Sequence, residues 1–237
     1  MRLNYTVNNA LEKLEKNQLF IASKLYKEKL YDQLSEAAYY KTLQRMCEAG
    51  ELVKIAKGTY YLPKTNRYGI VPPSEKDIIS MFIERQSGTV VGYSLYNKLN
   101  LTTQVPKNII VMSSALEGMT KSIRNVTIHH VPLNFSKEVV SIIHGLEVLQ
   151  NFYSIQDMNY NAFIKYTAKL AESYNTPVLE KIISVRSYKK STISFLKNIL
   201  DYYHVENNLS DYLSTLSVYK HPRMEELYEA ARASQWI

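Results

Sequence analysis

The most informative part of the chain is residues 35–63, which read SEAAYYKTLQRMCEAGELVKIAKGTYYLP. Ser35 stands where a helix N-cap is expected, and its side chain can accept a hydrogen bond from the first turn. A run of good helix formers follows over residues 36–49, and Gly50 comes directly after it. Glycine is the usual residue just beyond a helix C-terminus. This pattern predicts a capped helix over residues 36–49.

The second half of the same stretch has the pattern of a β-hairpin. Two β-prone runs, residues 51–56 and 59–62, are separated by Lys57 and Gly58. A two-residue turn with glycine can adopt the positive φ that such hairpins need. Pro63 ends the second run because proline has no N–H to donate to a neighbouring strand.

The residues before this stretch also have helical spacing. Apolar residues at Leu11 and Leu14 predict a helix over residues 8–16, and those from Phe20 to Leu25 predict a second over residues 17–30. Three helices followed by a hairpin is the element order of a winged helix-turn-helix. We therefore expect residues 1–70 to be a winged helix DNA-binding domain.

In that fold the third helix enters the major groove, so its outward face is the candidate site. At about 100° per residue, Leu43, Met46, Cys47 and Gly50 share one side, while Ala37, Lys41, Gln44 and Arg45 lie opposite. We assign Gln44 to an adenine edge, Lys41 to a guanine or a phosphate, and Arg45 to a phosphate. Tyr40 lies between the two faces, where it can either contact a thymine methyl or pack in the core.

The hairpin, or wing, carries the second candidate set. Lys54, Lys57 and Gly58 form a short cationic tip, in which glycine allows the backbone to approach phosphates closely. The alternative is that these lysines are simply solvated.

The net charge of +7 is unevenly distributed along the chain. Residues 1–70 hold 12 Lys and Arg against 7 Asp and Glu, a net charge of +5. Residues 71–135 have a net charge of +2, from 6 against 4, and residues 136–237 are neutral, with 11 of each. A basic first part followed by a neutral remainder indicates a nucleic-acid-binding module joined to something else. A solvated basic surface without function is the other interpretation.

The rest of the chain predicts an α+β protein with a small mixed middle unit and a helical C-terminal region. Gly69, Pro72 and Pro73 mark residues 67–74 as a linker, and we expect a second domain over residues 71–237. Its β-containing part is residues 71–135, with helices over 75–86 and 93–99, a break over 88–92, and β runs over 108–112 and 123–131. Its mainly helical part is residues 136–237, with helices over 137–152, 159–174, 177–188, 190–203 and 223–236.

Composition argues against several other classes of protein. The single cysteine, Cys47, excludes an internal disulfide and a multi-cysteine zinc site. No stretch approaches the roughly 18 consecutive apolar residues of a membrane helix, and the first residues lack the apolar core of a signal peptide. We expect a cytoplasmic protein with no membrane partner.

Signatures of catalysis, cofactor binding and metal binding are also missing from the sequence. It contains no GxGxxG, GxxxxGK[ST] or HExxH pattern. His129 and His130 are adjacent on a β run, so they point to opposite faces and are poorly placed to share one metal ion. The carboxylates Glu225, Glu226 and Glu229 fit a solvated helix face. We therefore assign no catalytic residue, no cofactor and no metal, and expect a protein that is not an enzyme.

Two segments have distinctive sequences. The first comprises LQRMCEAGEL at residues 43–52 and KGTYYLP at residues 57–63, and the second is GYSLYNKLNLTTQVP at residues 92–106. Together they resemble the AbiEi-type antitoxins. Asn100 departs from the pattern, because a glycine is expected there. The resemblance covers roughly the first half of the chain.

The resemblance implies a function that composition and spacing do not. Such antitoxins belong to bacterial abortive-infection toxin–antitoxin systems of the AbiE type. They repress their own operon through the N-terminal domain, which binds double-stranded operator DNA, and the larger C-terminal part carries the antitoxin activity. The cognate toxin, a nucleotidyltransferase, is therefore a second expected partner. A protein–protein adaptor, a free-standing winged helix regulator and an enzyme with an unrecognised site remain alternatives.

Overall fold

The computed structural model describes residues 2–116 and 118–233. It has a mixed α+β fold with a helical C-terminal region, as the sequence predicts. The α-helices are α1 (Arg2–Leu11), α2 (Ala22–Lys29), α3 (Glu36–Glu48), α4 (Glu75–Ile83), α5 (Tyr93–Lys98), α6 (Lys137–Gln150), α7 (Tyr160–Glu172), α8 (Thr176–Val185), α9 (Lys190–Tyr202) and α10 (Met224–Ala233). The strands are β1 (Leu19–Ile21), β2 (Val53–Ala56), β3 (Thr59–Tyr61), β4 (Lys64–Asn66), β5 (Gly69–Val71), β6 (Gly88–Val91), β7 (Ile109–Ser113), β8 (Thr120–Ile123) and β9 (Val126–His130).

Contacts along the chain divide it into two compact units. The first contains the residues up to Met81 together with Ser122–Val126, and the second contains Phe82–Lys121 and the residues from Thr127 onward. This division falls further along the chain than the boundary after residue 70 that the sequence suggests. Each unit has its own apolar core.

The first unit begins with α1, β1, α2, α3 and the β2–β3 hairpin. Its three strands form an antiparallel sheet in the order β1-β3-β2. The core lies between this sheet and the helices, and it includes Val7, Leu11, Phe20, Leu25, Leu30, Tyr39, Leu43, Met46, Leu52 and Tyr60.

The sequence prediction of a helix over residues 17–30 is wrong at its start. Residues 19–21 form β1, and helix α2 begins only at Ala22. Asn17 adopts φ +67°, which interrupts any helix, and its backbone N–H donates to the Leu62 carbonyl at 2.8 Å. Pairing with β3 buries all three residues of β1, so a tertiary contact overrides the helical spacing. The first predicted helix, residues 8–16, overlaps α1 (Arg2–Leu11) only at residues 8–11, so its bounds are wrong at both ends.

The predicted third helix and the hairpin after it are confirmed. The Ser35 side chain accepts a hydrogen bond from the Ala38 N–H at 3.4 Å, which caps the N-terminus of α3. Gly50 follows the helix with φ +74°. Gly58 has φ +68° in the turn that joins β2 to β3, where the pairing register is Ala56 with Thr59.

Residues 67–74 are not an extended linker. Most of them belong to a second hairpin, in which β4 and β5 pair antiparallel with the register Lys64 to Val71 and Asn66 to Gly69. Proline and glycine are frequent in linkers and in turns alike, so composition alone did not separate the two. The strands β4 and β5 form a sheet of two strands.

Most of the four-stranded sheet of order β6-β7-β9-β8 belongs to the second unit. Two sequence predictions are corrected here. Residues 88–91, interpreted as a break, form β6, which pairs antiparallel with β7. The β run predicted over residues 123–131 is divided by a turn at Arg124, whose φ is +55°. The turn residues of this β8–β9 pair are among those that group with the first unit.

The C-terminal region is helical from α6 to α10, as predicted, with shifts of a few residues at the helix ends. Residues 234–236 of the last predicted helix lie outside the described residues. Its core contains an aromatic cluster of Phe152, Phe163 and Phe195, whose ring centres lie 5.0 to 6.1 Å apart. Beside it, buried Glu147 accepts a hydrogen bond from Arg186 at 3.0 Å, so the buried carboxylate has a paired charge.

The turn after α5 explains how Asn100 replaces the expected glycine. Asn100 adopts φ +58°, in the left-handed region that glycine occupies most easily and that asparagine tolerates better than most residues. The segment after it is held by the Thr102 hydroxyl, which is buried and donates to the Gln156 carbonyl at 2.7 Å. Loop hydrogen bonding is therefore what Thr102 contributes.

In the part of the chain that the structure describes, none of the helices combines the length and apolar character needed to cross a membrane.

We expect Tyr39→Phe to stabilise the first unit. The Tyr39 hydroxyl is buried without a hydrogen-bond partner among the described residues, and burial raises its pKa. Removing an unsatisfied polar group should increase the free energy of unfolding by about 1 kcal/mol. Tyr26, stacked on Tyr39 at 5.4 Å, is the matched control, because its hydroxyl donates to the Leu34 carbonyl at 2.9 Å. Tyr26→Phe should instead destabilise the protein, and chemical denaturation measures both; equal effects would contradict the assignment.

We also expect His144 to make stability pH-dependent. Its imidazole Nε2 lies 2.7 Å from the Thr89 hydroxyl, and burial, followed by the charge of Lys98, lowers its pKa from 6.5 to about 4. Between these values the unfolded chain binds a proton that the folded chain does not, so stability falls on acidification from pH 6.5 to 4. The loss should reach about 3 kcal/mol.

His144→Gln is the matched variant for this prediction, since glutamine can still bond Thr89 and does not titrate. Thermal unfolding of the two proteins from pH 7 to 4 should show a smaller loss for the variant. Parallel losses would mean that other groups, the carboxylates above all, account for the pH dependence.

Candidate nucleic-acid interface

The two sides of α3 differ in burial as helical spacing predicts. Tyr39, Leu43 and Met46 are buried against the core of the first unit. The four outward candidates, Ala37, Lys41, Gln44 and Arg45, are all exposed. Gly50 is exposed as well, although the angular argument grouped it with the packed side, because the chain leaves the helix before it.

The outward face of α3 also carries an acidic residue that the sequence analysis omitted. The Gln44 side-chain amide donates to the Glu48 carboxylate at 3.0 Å. Glu48 is exposed and follows Gln44 by about one helical turn, on the side opposite Tyr39, so the same angular argument applied to Glu48 would have found it. Lys41 and Arg45 form no ion pair with any carboxylate that the structure describes.

Tyr40 is half-buried between the two faces of α3. Its ring lies 5.3 Å from that of Tyr39 at an interplanar angle of 58°. This contact fixes the ring by packing and leaves only part of it on the surface. Of the two roles that the sequence leaves open for Tyr40, the packing contact is therefore present in the structure.

The wing presents both candidate lysines to solvent. Lys54 and Lys57 are exposed, and a Cβ added to Gly58 would meet no atom within 4 Å, so the surface above the turn is open. The Gly58 carbonyl accepts a hydrogen bond from the Ala22 N–H at 2.9 Å. The turn is therefore tied to the start of α2, although its tip faces outward.

Cys47 lies at the junction of α3 and the wing. It is half-buried, and burial raises the pKa of its thiol even though the nearby charge of Lys54 acts in the opposite direction. A thiol with a raised pKa is a poor nucleophile at neutral pH. The N–H groups of Glu51 and Leu52 donate to the Met46 carbonyl at 2.9 and 3.2 Å, so the start of the wing lies close to the C-terminal part of α3.

The histidines and carboxylates considered for catalysis or metal binding are dispersed. His129 Nδ1 lies 3.2 Å from the Thr120 hydroxyl, and Nδ1 of His130 is buried without a hydrogen-bond partner among the described residues. Over residues 2–116 and 118–233 no three His, Cys, Asp or Glu side chains are grouped closely enough to hold a metal ion. The three glutamates of α10 are exposed.

The fold and this surface define a mixed α+β protein whose first unit exposes one face of a packed helix and a cationic hairpin turn. Residues 6–139, more than half of the chain, match a family described as a family of unknown function (DUF6088), and the chain belongs to that family. No curated protein matches the chain. The matched residues end at the start of α6, so most of the helical C-terminal region lies beyond them.

We expect Glu48→Gln to strengthen binding of any DNA duplex to this surface. The substitution removes a negative charge from the outward face of α3 and keeps a hydrogen-bonding partner for Gln44. Affinity at low salt should rise about two- to five-fold, because one surface charge interaction contributes up to about 1 kcal/mol. Glu12→Gln, which removes an exposed carboxylate elsewhere in the first unit, is the control. Weaker binding by Glu48→Gln, measured by fluorescence anisotropy, would mean that Glu48 orients Gln44 productively.

Proposed function

We propose that the first unit is a winged helix-turn-helix that binds double-stranded DNA, with α3 as the recognition helix and the β2–β3 hairpin as the wing. The supporting observation is that the exposed face of α3 lies opposite its buried face, within an element order of α1, β1, α2, α3, β2 and β3. The strand between the first two helices and its pairing in the order β1-β3-β2 also suit this fold.

In this proposal α3 reads base edges from the major groove. Gln44 exchanges its bond to Glu48 for a bidentate contact with adenine, and Lys41 contacts a guanine or a phosphate. Arg45 binds a phosphate at the edge of the groove. Ala37 has a small side chain near the N-terminus of the helix, which allows close approach to the bases and contact with a thymine methyl. Tyr40 contributes the exposed part of its ring.

The wing supplies sequence-independent affinity in the same proposal. Lys54 and Lys57 neutralise phosphates, and Gly58 leaves the backbone open at the tip. The outward face of α3 combines one acidic side chain, Glu48, with two basic ones, Lys41 and Arg45, so its net charge is smaller than that of the hairpin. Most of the electrostatic attraction would therefore come from the hairpin.

We further propose that the chain is a cytoplasmic autorepressor and antitoxin of an AbiE-type system. The support is the resemblance of residues 43–63 and 92–106 to AbiEi-type antitoxins. The left-handed conformation of Asn100 adds to it, because this backbone position suits the glycine expected there and is tolerated by asparagine. Repression would follow from occupancy of promoter DNA, and a nucleotidyltransferase toxin would be the second partner.

One surface of the second unit favours a protein partner, whether that toxin or another protein. Leu216 and Val218 are 95% and 96% exposed in the segment before α10. Two apolar side chains exposed two residues apart offer a small apolar surface that a protein partner would cover. The alternative of a protein–protein adaptor would use the same surface.

The DNA-binding proposal assigns different roles to α3 and to the wing, and substitutions should separate them. The double variant Lys41→Ala and Gln44→Ala should lose its preference for one DNA sequence, since each good base contact contributes about 1–3 kcal/mol of discrimination. Lys54→Ala or Lys57→Ala should weaken binding to all sequences and reduce the salt slope by about one unit. Gel-shift titrations on the DNA upstream of the protein's own gene and on an unrelated duplex measure both.

Equal losses from the helix and wing substitutions on both duplexes would contradict these roles. The absence of any salt-dependent shift, together with co-purification of a partner protein, would favour the adaptor. Far-UV circular dichroism of each variant is the folding control, and all four substituted side chains are exposed.

A further inference from the structure

Residues 52–74 form the longest cationic segment of the first unit. They contain Lys54, Lys57, Lys64 and Arg67 and not one Asp or Glu, so the segment carries four positive charges between Glu51 and Glu75. The first two lysines lie on the β2–β3 wing, and the other two lie on the β4–β5 hairpin. The excess of positive charge therefore extends beyond the wing and into the second hairpin.

The tip of the β4–β5 hairpin is a two-residue loop formed by Arg67 and Tyr68. Asn66 pairs with Gly69 on either side of it, and the Asn66 side chain accepts a hydrogen bond from the Tyr68 N–H at 2.8 Å. Gly69 has φ +111°, a conformation that other residues rarely adopt. The sequence of the turn thus fixes which two side chains stand at its tip.

Both ends of this hairpin are held by residues distant in sequence. At its start the Lys64 N–H donates to the Asn17 side chain at 3.1 Å, next to the end of β3. Just beyond its end, Pro73 is buried and its carbonyl accepts from the Arg124 guanidinium at 2.8 Å. The hairpin is therefore anchored at its base while its tip projects outward.

The projecting part is uncovered and carries an aromatic–cation pair. All three residues of β4 are exposed, and Tyr68 and Ile70 are 80% and 51% exposed. The Arg67 guanidinium lies 4.6 Å from the centre of the Tyr68 ring, and Arg67 forms no ion pair with the carboxylates described. A two-stranded hairpin is only marginally stable when nothing packs on it. An exposed hairpin with a stacked arginine suits a polyanion whose groove edges offer phosphates for the cation and sugar C–H groups for the aromatic ring.

We propose that the β4–β5 hairpin is a second wing, which contacts the backbone of double-stranded DNA beside the site of the first. Arg67 binds a phosphate, and Tyr68 holds the guanidinium in position and packs against the sugar. This inference rests on the proposed DNA binding by the first unit and adds a second contact to it. Because its contacts are with the backbone, the second wing contributes affinity and footprint length and no sequence preference.

The test measures binding of a fluorescein-labelled duplex of about 24 base pairs across a series of salt concentrations. Arg67→Gln should weaken binding about three- to ten-fold on every sequence and reduce the salt slope by about one unit. Arg67→Lys should keep the slope, since the charge remains. Tyr68→Ala should lower affinity without changing the slope. Lys181→Gln, at an exposed lysine of α8, is the control for loss of one charge and should change neither.

This experiment separates a failure of the second wing from a failure of DNA binding by the first unit. Suppose that Lys57→Ala lowers the affinity and the salt slope, whereas Arg67→Gln and Tyr68→Ala bind as the wild type does. The proposal of a second wing is then wrong, and the winged helix proposal still stands. If the wild type shows no salt-dependent binding to duplex DNA, the proposed function and this inference fail together. The thermal unfolding midpoints of the hairpin variants should equal that of the wild type, because both tip residues are exposed. If a hairpin variant has a lower unfolding midpoint and its loss of binding follows from partial unfolding, the tip residues have a structural role and the inference is wrong.

Discussion

The pairing of β1 with β3 is the contact on which the first unit depends. It joins β1, which lies between α1 and α2 in the chain, to β3, the second strand of the wing. The ring of Phe20 stacks on that of Tyr60, with 5.9 Å between the ring centres. The hydrogen bond from Ala22 to Gly58 continues the connection to the turn. Because the strand leads directly into α2 and the wing follows α3, this pairing fixes where the outward face of α3 lies relative to the hairpin.

Charge is divided between the helix and the hairpins of this unit. The outward face of α3 pairs Gln44 with Glu48 and carries both charge signs, whereas residues 52–74 carry only positive charge. A face of mixed polar residues discriminates by hydrogen-bond geometry, since a wrong base leaves polar groups unpaired. A cationic hairpin attracts any duplex, and its contribution falls with salt. In the proposed function, recognition and affinity therefore come from different elements and can be varied separately.

The second unit packs around a buried apolar core. Its aromatic cluster and the ion pair of Glu147 and Arg186 lie within the helical region, and burial lowers the pKa of His144 beside Thr89. The net charge of residues 136–237 is zero, so this region offers no general attraction for nucleic acid. Two apolar side chains of this region, Leu216 and Val218, are almost fully exposed.

The sequence by itself determined the elements whose signals are local. Ser35, Gly50 and Gly58 act within a few residues of their own position, so α3 and the wing could be placed with little error, and the 3.6-residue period separated the exposed side of α3 from the buried one. The tertiary structure decided what depends on distant partners. Leu19–Ile21 became a strand because β3 lies beside it, and residues 88–91 did so because β7 pairs with them. Asn17 and Arg124 anchor a hairpin whose prolines and glycine suggested only a linker. The contact between Gln44 and Glu48 is a choice of side-chain conformation, which neither composition nor spacing specifies.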